Sequence, residues 1–191
     1  LMTEFTGRLF IIERSGKQGL GTAYITGFKW ALAHGYEYIF EMDADFSHNP
    51  DDLLKLWDAC ANKGADVAIG SRYITGVNVV NWPMGRVMMS YFASKYVRFV
   101  TGMNIADTTA GFKCYRREVL ETIDLDNIRF KGYAFQIEMK FKEYKCCFKL
   151  VEVPIIFINR VLGTSKMNSS IFGEDVFGVI KLKYDSWFKK Y

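Results

Sequence analysis

The sequence is thin in most of the features that place a chemistry quickly. It holds no run of about 18 apolar residues, so no segment has the length to cross a bilayer as a helix. Its opening residues lack the pattern of a secretory leader. Four cysteines occur in 191 residues: Cys60, Cys114, Cys146 and Cys147. None has metal-ligand spacing, and the adjacent Cys146 and Cys147 cannot easily bridge each other, which fits reduced thiols in a cytosolic setting. There are two histidines, His34 and His48, and neither is obviously placed as a base. Neither a P-loop nor a dinucleotide-binding glycine fingerprint is present. The basic residues exceed the acidic ones by four but are not gathered into a polybasic run, so the balance favours anionic partners without demanding nucleic acid.

What is present is bulk. Half the residues are apolar, with 16 Phe, 11 Tyr and 4 Trp, enough for a substantial core in one domain over 1–191. Strand and helix patterns alternate. Buried strands are expected at Arg8–Glu13, Tyr38–Met42 and Asp66–Ile69, with helices at Leu20–Ala33 and from Asn49-Pro50 to Gly64. That order implies right-handed crossovers and a parallel sheet, with ligands at the strands' C-terminal ends. A loop at Tyr73–Pro83 is followed by a helix at about Arg86–Val100, a strand at Gly111–Tyr115 and a short helix at Arg116–Ile123. A helix at Tyr133–Tyr144, a strand at Leu150–Ile158 and a final helix at Glu174–Phe188 complete the pattern. The chain begins almost directly with a strand, although a nucleotide-binding α/β half usually has further βα units before its metal strand. A catalytic domain that is N-terminally incomplete is therefore expected.

Five sets of residues carry possible chemistry. Asp43 and Asp45 close an apolar strand and make a compact anionic site suited to a hydrated divalent cation on a diphosphate. The same pair can equally cap the following turn. Lys17, Gly19 and Gly21 precede a helix, where backbone amides can approach an anion or simply form a tight strand-to-helix turn. Arg72 ends a strand, and Arg86 and Ser90 share one helical face. They can grip a phosphate, or the arginines can make solvated surface ion pairs. The stretches Asp107–Lys113 and Gly132–Glu138 mix small, polar and aromatic residues in a way that suits a sugar, or start ordinary strands and helices. Asn159-Arg160 and Gly163–Lys166 make a basic loop able to close over a charged substrate. The last helix sets Phe177, Ile180, Tyr184 and Trp187 against several lysines, a pattern that suits a membrane surface or packing on the core.

The order MDADFSH, GSRY, NWP with Arg86 and Ser90, DTTAGFK, GYAFQIEM, EVPIIF and GTSKM, preceded by GLGTAY, resembles the polyprenol-phosphate (dolichol-phosphate) mannosyltransferases. These are inverting family 2 glycosyltransferases of the α/β GT-A (Rossmann-like) fold with a mainly parallel sheet. The resemblance implies transfer of mannose from GDP-mannose to a polyprenyl phosphate at the cytosolic face of a membrane, with peripheral membrane contact and no nucleic acid. It implies that Asp43 and Asp45 hold Mg²⁺ or Mn²⁺, with Ser47 where some members carry a glutamine as a further metal-side ligand. It implies that Arg72, Arg86, Ser90 and Arg160 receive the lipid phosphate, that Lys166 lies in a flexible acceptor loop, and that Asp107, Gln136 and Glu138 contact sugar. Two alternatives remain at this level: a UDP-glucose-dependent glucosyltransferase, and a non-catalytic subunit that binds nucleotide or lipid phosphate. Family members begin with two earlier strands carrying Pro-x-Tyr-Asn-Glu and Asp-Asp-Gly-Ser stretches that grip base and ribose, and neither stretch appears in this sequence.

Overall fold

The computed structural model describes residues 4–132, 134–159 and 169–188, with 169–175 as backbone only. Its elements are α1 (Leu20–Ala33), β1 (Tyr38–Glu41), α2 (Asp52–Ala61), β2 (Val67–Ser71), β3 (Val79–Val80), α3 (Met84–Thr101), β4 (Lys113–Arg116), α4 (Arg117–Thr122), α5 (Ala134–Lys145), β5 (Leu150–Pro154), β6 (Phe157–Ile158) and α6 (Ser169–Asp185). The main sheet has the order β1-β4-β2-β5. β2 and β5 are parallel, and β4 runs antiparallel to both β1 and β2. β1, β2 and β5 therefore share one direction, as the alternating pattern predicts. The reversed strand between β1 and β2 was not expected, because a βαβαβ reading makes those two direct neighbours.

Strand alternation sorts the core onto the two sheet faces. Ile39, Val67, Ile69 and Tyr115 point to one side, against Phe28 of α1, Val119 and Leu120 of α4, Phe135 and Met139 of α5, and Leu182 of α6. Ala68 and Cys114 point to the other, against Leu56, Ala59 and Cys60 of α2. The Phe28 ring meets Tyr115 edge-on with centroids 5.2 Å apart, a favoured aromatic geometry. α2 begins two residues later than the Asn49-Pro50 signal suggests. Asn49 Oδ1 instead accepts from the Asp51 amide and shapes the turn into the helix.

Two strand expectations are corrected. Arg8–Glu13 is not a strand, and its Leu9, Phe10, Ile11 and Ile12 are exposed. Leu150–Ile158 is not continuous, since it breaks after Pro154. Its last two residues, as β6, pair in parallel with β3, a short strand inside the expected 73–83 loop. This two-stranded sheet brings the segment before α3 against the segment after β5, and that junction forms one wall of the site.

Candidate active site

A cleft of about 510 Å³ opens at the C-terminal ends of β1 and β2. β1 delivers Asp43, Asp45 and Ser47 to it, β2 delivers Arg72, α3 delivers Arg86 and Ser90, and α5 delivers Gln136. Acids and arginines separated in sequence therefore line one space. The same cleft also has an apolar lining that includes Met89, Phe92 and Tyr96 of α3 with Val176 and Val179 of α6.

The acid loop is tightly turned. Phe46 adopts φ 61, a left-handed conformation uncommon for a bulky residue, and its side chain is 93% exposed. That turn lets the Ser47 amide donate to Asp45 Oδ1 at 3.1 Å. Asp43 accepts from the Tyr24 hydroxyl at 2.8 Å. Burial first, then the Asp43 charge, raises the Tyr24 phenol above its ordinary value, so it stays protonated as a donor. The Tyr24 ring stacks on Phe135 with centroids 6.0 Å apart, which fixes its direction. Burial holds His48 below the ordinary histidine value, against the nearby Asp43 charge and in concert with Arg72, so it is neutral at neutral pH. It packs on Phe112 and Phe157.

Among the described residues, no group of three or more His, Cys, Asp or Glu could hold a metal by itself. Two carboxylates remain, together with Ser47 Oγ, which is buried with no partner among the described residues. An incomplete shell of hard oxygen donors suits a cation whose other ligands are substrate phosphate and water. The residues therefore fit Mg²⁺ or Mn²⁺.

The arginine wall is built on a buried pair. Arg72 Nε donates to Asp107 Oδ2 at 2.6 Å and Nη2 donates to Asp107 Oδ1 at 2.7 Å. The Arg72 amide adds a third bond at 3.0 Å, and Nη2 also reaches Thr109 Oγ1 at 2.9 Å. Burial disfavours both charges, but the attraction and hydrogen bonds between them prevail. They hold Asp107 below the usual carboxylate range and Arg72 above its ordinary value. Glu152 accepts from the backbone amides of Ala106 and Asp107 and so fixes the loop that carries the partner. Arg86 lies across the Trp82 ring, 4.0 Å from its centroid, and donates to Asn159 Oδ1 at 3.0 Å. The Tyr73 hydroxyl donates to Ser90 Oγ at 2.8 Å.

Several expected site residues lie elsewhere or serve the fold. Asp107 is fully buried and occupied by Arg72, so it orients the arginine and does not face a sugar. Glu138 is buried and accepts from the Arg129 and Phe130 amides at 2.8 and 2.9 Å, and so pins the loop before α5. Lys17 is exposed and does not line the cleft. Gly19 and Gly21 answer to packing. A Cβ on Gly19 would stand 2.8 Å from the Lys131 carbonyl, one on Gly21 would stand 2.6 Å from the Phe135 ring, and the Gly21 amide already donates to Lys131. Gln136 keeps a cleft position, with both amide atoms buried and without a hydrogen-bond partner among the described residues. Arg160 and Lys166 lie outside the described residues. Sequence reasoning missed Tyr24 and Trp82 as site residues, although Trp82 stands inside the NWP stretch. Asn159 was singled out with the basic loop, but its bond to Arg86 across 73 residues left no local signal.

Residues 1–124 match the family model described as glycosyl transferase family 2. The chain is 49% identical over 172 residues to a polyprenol monophosphomannose synthase of Mycolicibacterium smegmatis, covering 90% of this chain and 64% of that protein. It is 47% identical over 171 residues to an undecaprenyl-phosphate mannosyltransferase of Micrococcus luteus, covering 90% of this chain and 70% of that protein. The chain thus spans about two thirds of the length of these relatives. Among solved structures, a glucosyl-3-phosphoglycerate synthase from Mycobacterium tuberculosis with Mn²⁺, UDP-glucose and glycerol 3-phosphate superposes with a TM-score of 0.60. The identity is 14%, over 88% of this chain and 55% of that one. The fold is that of the GT-A glycosyltransferases, and the chain belongs to glycosyl transferase family 2.

Proposed function

We propose that this family 2 chain carries the site that transfers mannose from GDP-mannose to a polyprenyl phosphate, inverting the anomeric centre. One observation carries the reading: an acid pair suited to a cation-bound diphosphate and an arginine pair suited to a second phosphate line the same cleft. The relatives named for mannose transfer to polyprenol-type phosphates agree with it.

The acceptor phosphate is its own nucleophile. Its second pKa lies near 6, so at neutral pH it is largely dianionic and needs no base. This suits a site whose cleft histidine, His48, is held neutral by burial. Arg72 and Arg86 hold the acceptor oxygen in line with the anomeric carbon, with Ser90 beside them. The new bond joins that oxygen to the anomeric carbon as the bond to the diphosphate oxygen breaks, and the electron pair leaves with the diphosphate. Asp43 and Asp45, with Ser47, hold Mg²⁺ or Mn²⁺, which when bound neutralises charge on the leaving diphosphate. Tyr24 keeps Asp43 turned toward the cleft, and the Gln136 amide meets sugar hydroxyls. Arg160 and Lys166 complete the acceptor side.

Membrane contact at the cytosolic face belongs to the same proposal. Among the described residues no helix is long and apolar enough to cross a membrane. α6 and the turn after it nevertheless expose Phe177, Tyr184, Trp187 and Phe188 near Lys181, a pattern that suits an interfacial helix.

The test uses the full-length protein with GDP-mannose or UDP-glucose and a short polyprenyl phosphate. Transfer from GDP-mannose should be lost with EDTA. Asp45→Ala should lower it roughly 10³-fold, and Arg86→Ala should act mainly on the acceptor KM. Near-normal transfer by both variants would sink the site, and preference for UDP-glucose would correct the donor.

A further inference from the structure

Trp82 occupies the short link between β3 and α3 and lines the cleft. Two cations attend its ring: the Arg86 guanidinium at 4.0 Å from the centroid and that of Arg72 at 5.4 Å. Phe157 meets it edge-on at 5.3 Å. Its Nε1 is buried and has no hydrogen-bond partner among the described residues. An unpaired buried donor is rare and costly, and it calls for an explanation. The acceptors that the arginines bind are already engaged by them, Asp107 by Arg72 and Asn159 Oδ1 by Arg86.

On the reading that this arginine pair receives a phosphate, we propose that Trp82 is a further ligand-binding and positioning residue. Its ring gathers Arg72 and Arg86, and its indole N–H is an additional donor to the phosphate oxygens that the two guanidiniums bracket. Two guanidiniums in one wall repel each other, and the negative face of an indole is the best aromatic offset to that repulsion. Indole nitrogen is a donor only, so the group it completes is an acceptor, as a phosphate dianion is. A phenylalanine would supply the ring without the donor, and an aliphatic residue would supply neither.

The experiment titrates inorganic phosphate and geranyl phosphate into the ¹⁵N-labelled full chain and follows the indole N–H resonances. The four tryptophans, Trp30, Trp57, Trp82 and Trp187, are assigned by single substitution to phenylalanine. The Trp82 resonance should move with both probes. Trp82→Phe should bind each about tenfold more weakly, the loss of one hydrogen bond to a charged acceptor, and should raise the acceptor KM more than it lowers kcat. Trp82→Leu should lose more than Trp82→Phe, and Trp57→Phe should bind as wild type. If Arg86→Ala weakens binding while Trp82→Phe does not and the Trp82 resonance stays still, the proposal is overturned and the arginine site stands. If neither variant weakens binding, the arginine site falls with it. A Trp82 shift produced equally by uncharged geraniol also overturns it. The wild-type resonance keeps the test decisive should Trp82→Leu fail to fold.

Discussion

Two of the buried ionic clusters among the described residues are bonded very differently. At the end of β2, Asp107 uses both oxygens on Arg72, and the Arg72 amide and Thr109 complete the set. On the sheet face against α5, Glu41 and Lys113 stand opposite each other across β1 and β4, with Glu143 and Lys140 beside them. Lys113 Nζ lies 3.0 Å from Glu41 and 3.9 Å from Glu143, yet Glu41 Oε2 and both Glu143 oxygens have no hydrogen bond among the described residues. A buried ion pair offsets its desolvation only with good geometry and full hydrogen bonding. The first cluster meets that condition and faces a cleft. The second does not, and its charges shift: burial raises the Glu143 carboxyl, and lowers Lys140 to about 7. One cluster specifies a direction for a cation, while the other is held in place by the core around it.

The largest expected effects separate the clusters directly. Asp107→Ala and Lys113→Met each strand a buried charge and should each cost about 3–5 kcal/mol, read by urea denaturation. The folded fraction of Lys113→Met should keep its transfer rate. Asp107→Ala should lose roughly a hundredfold, because Arg72 is no longer aimed. Equal activity losses would erase the distinction.

Tyr24→Phe sharpens it on the acid side. Removing the donor to Asp43 should lower kcat about tenfold, the scale of lost support to a metal-binding carboxylate, while the melting temperature barely moves. Neighbours on α5 should then divide by role. Glu138→Gln should cost about 1–2 kcal/mol of stability with the donor KM unchanged, whereas Gln136→Ala should raise the donor KM several-fold at unchanged stability.

The last effect is a pH slope. Lys140 is lowered to about 7 by burial and then by the Lys113 charge, against the pull of Glu143, Glu41 and Asp107. Above pH 7 and up to the ordinary lysine value, the unfolded chain binds more protons at this residue than the folded one. Stability from Lys140 therefore rises with pH across that window, and its full penalty applies below it. Glu143, with its raised pKa, acts in the opposite sense from its ordinary value upward. Wild type should gain on Lys140→Met between pH 7 and 9, by at most about 1.4 kcal/mol per pH unit. A flat difference would show that Lys140 stays charged in the fold.

Local signals were read well from sequence. Gly35 stops α1 at the expected residue, and Gly70 and Arg72 fall at the end of β2 where an apolar run ends. The motif positions Asp43, Asp45, Arg72, Arg86, Ser90 and Gln136 do converge on one cleft. Failures came where partners are distant. Leu9 to Ile12 has the composition of a strand, but pairing, which defines one, is not encoded locally. Asp107 and Glu138 are polar residues in sugar-like stretches. Their occupation by Arg72 across 35 residues and by the Arg129 and Phe130 amides is a tertiary fact. The antiparallel direction of β4 is a property of its pairing with β1 and β2, which no hydrophobic period records.

That reversed strand acts as a spacer. With β4 between them, the ends of β1 and β2 are two inter-strand steps apart, about 10 Å. As direct neighbours they would sit at half that distance. Inserting one strand widens the floor between the acid loop and Arg72, which still line a single chamber. On the function proposed above, the sheet order sets the spacing across which a sugar would pass from one phosphate to another.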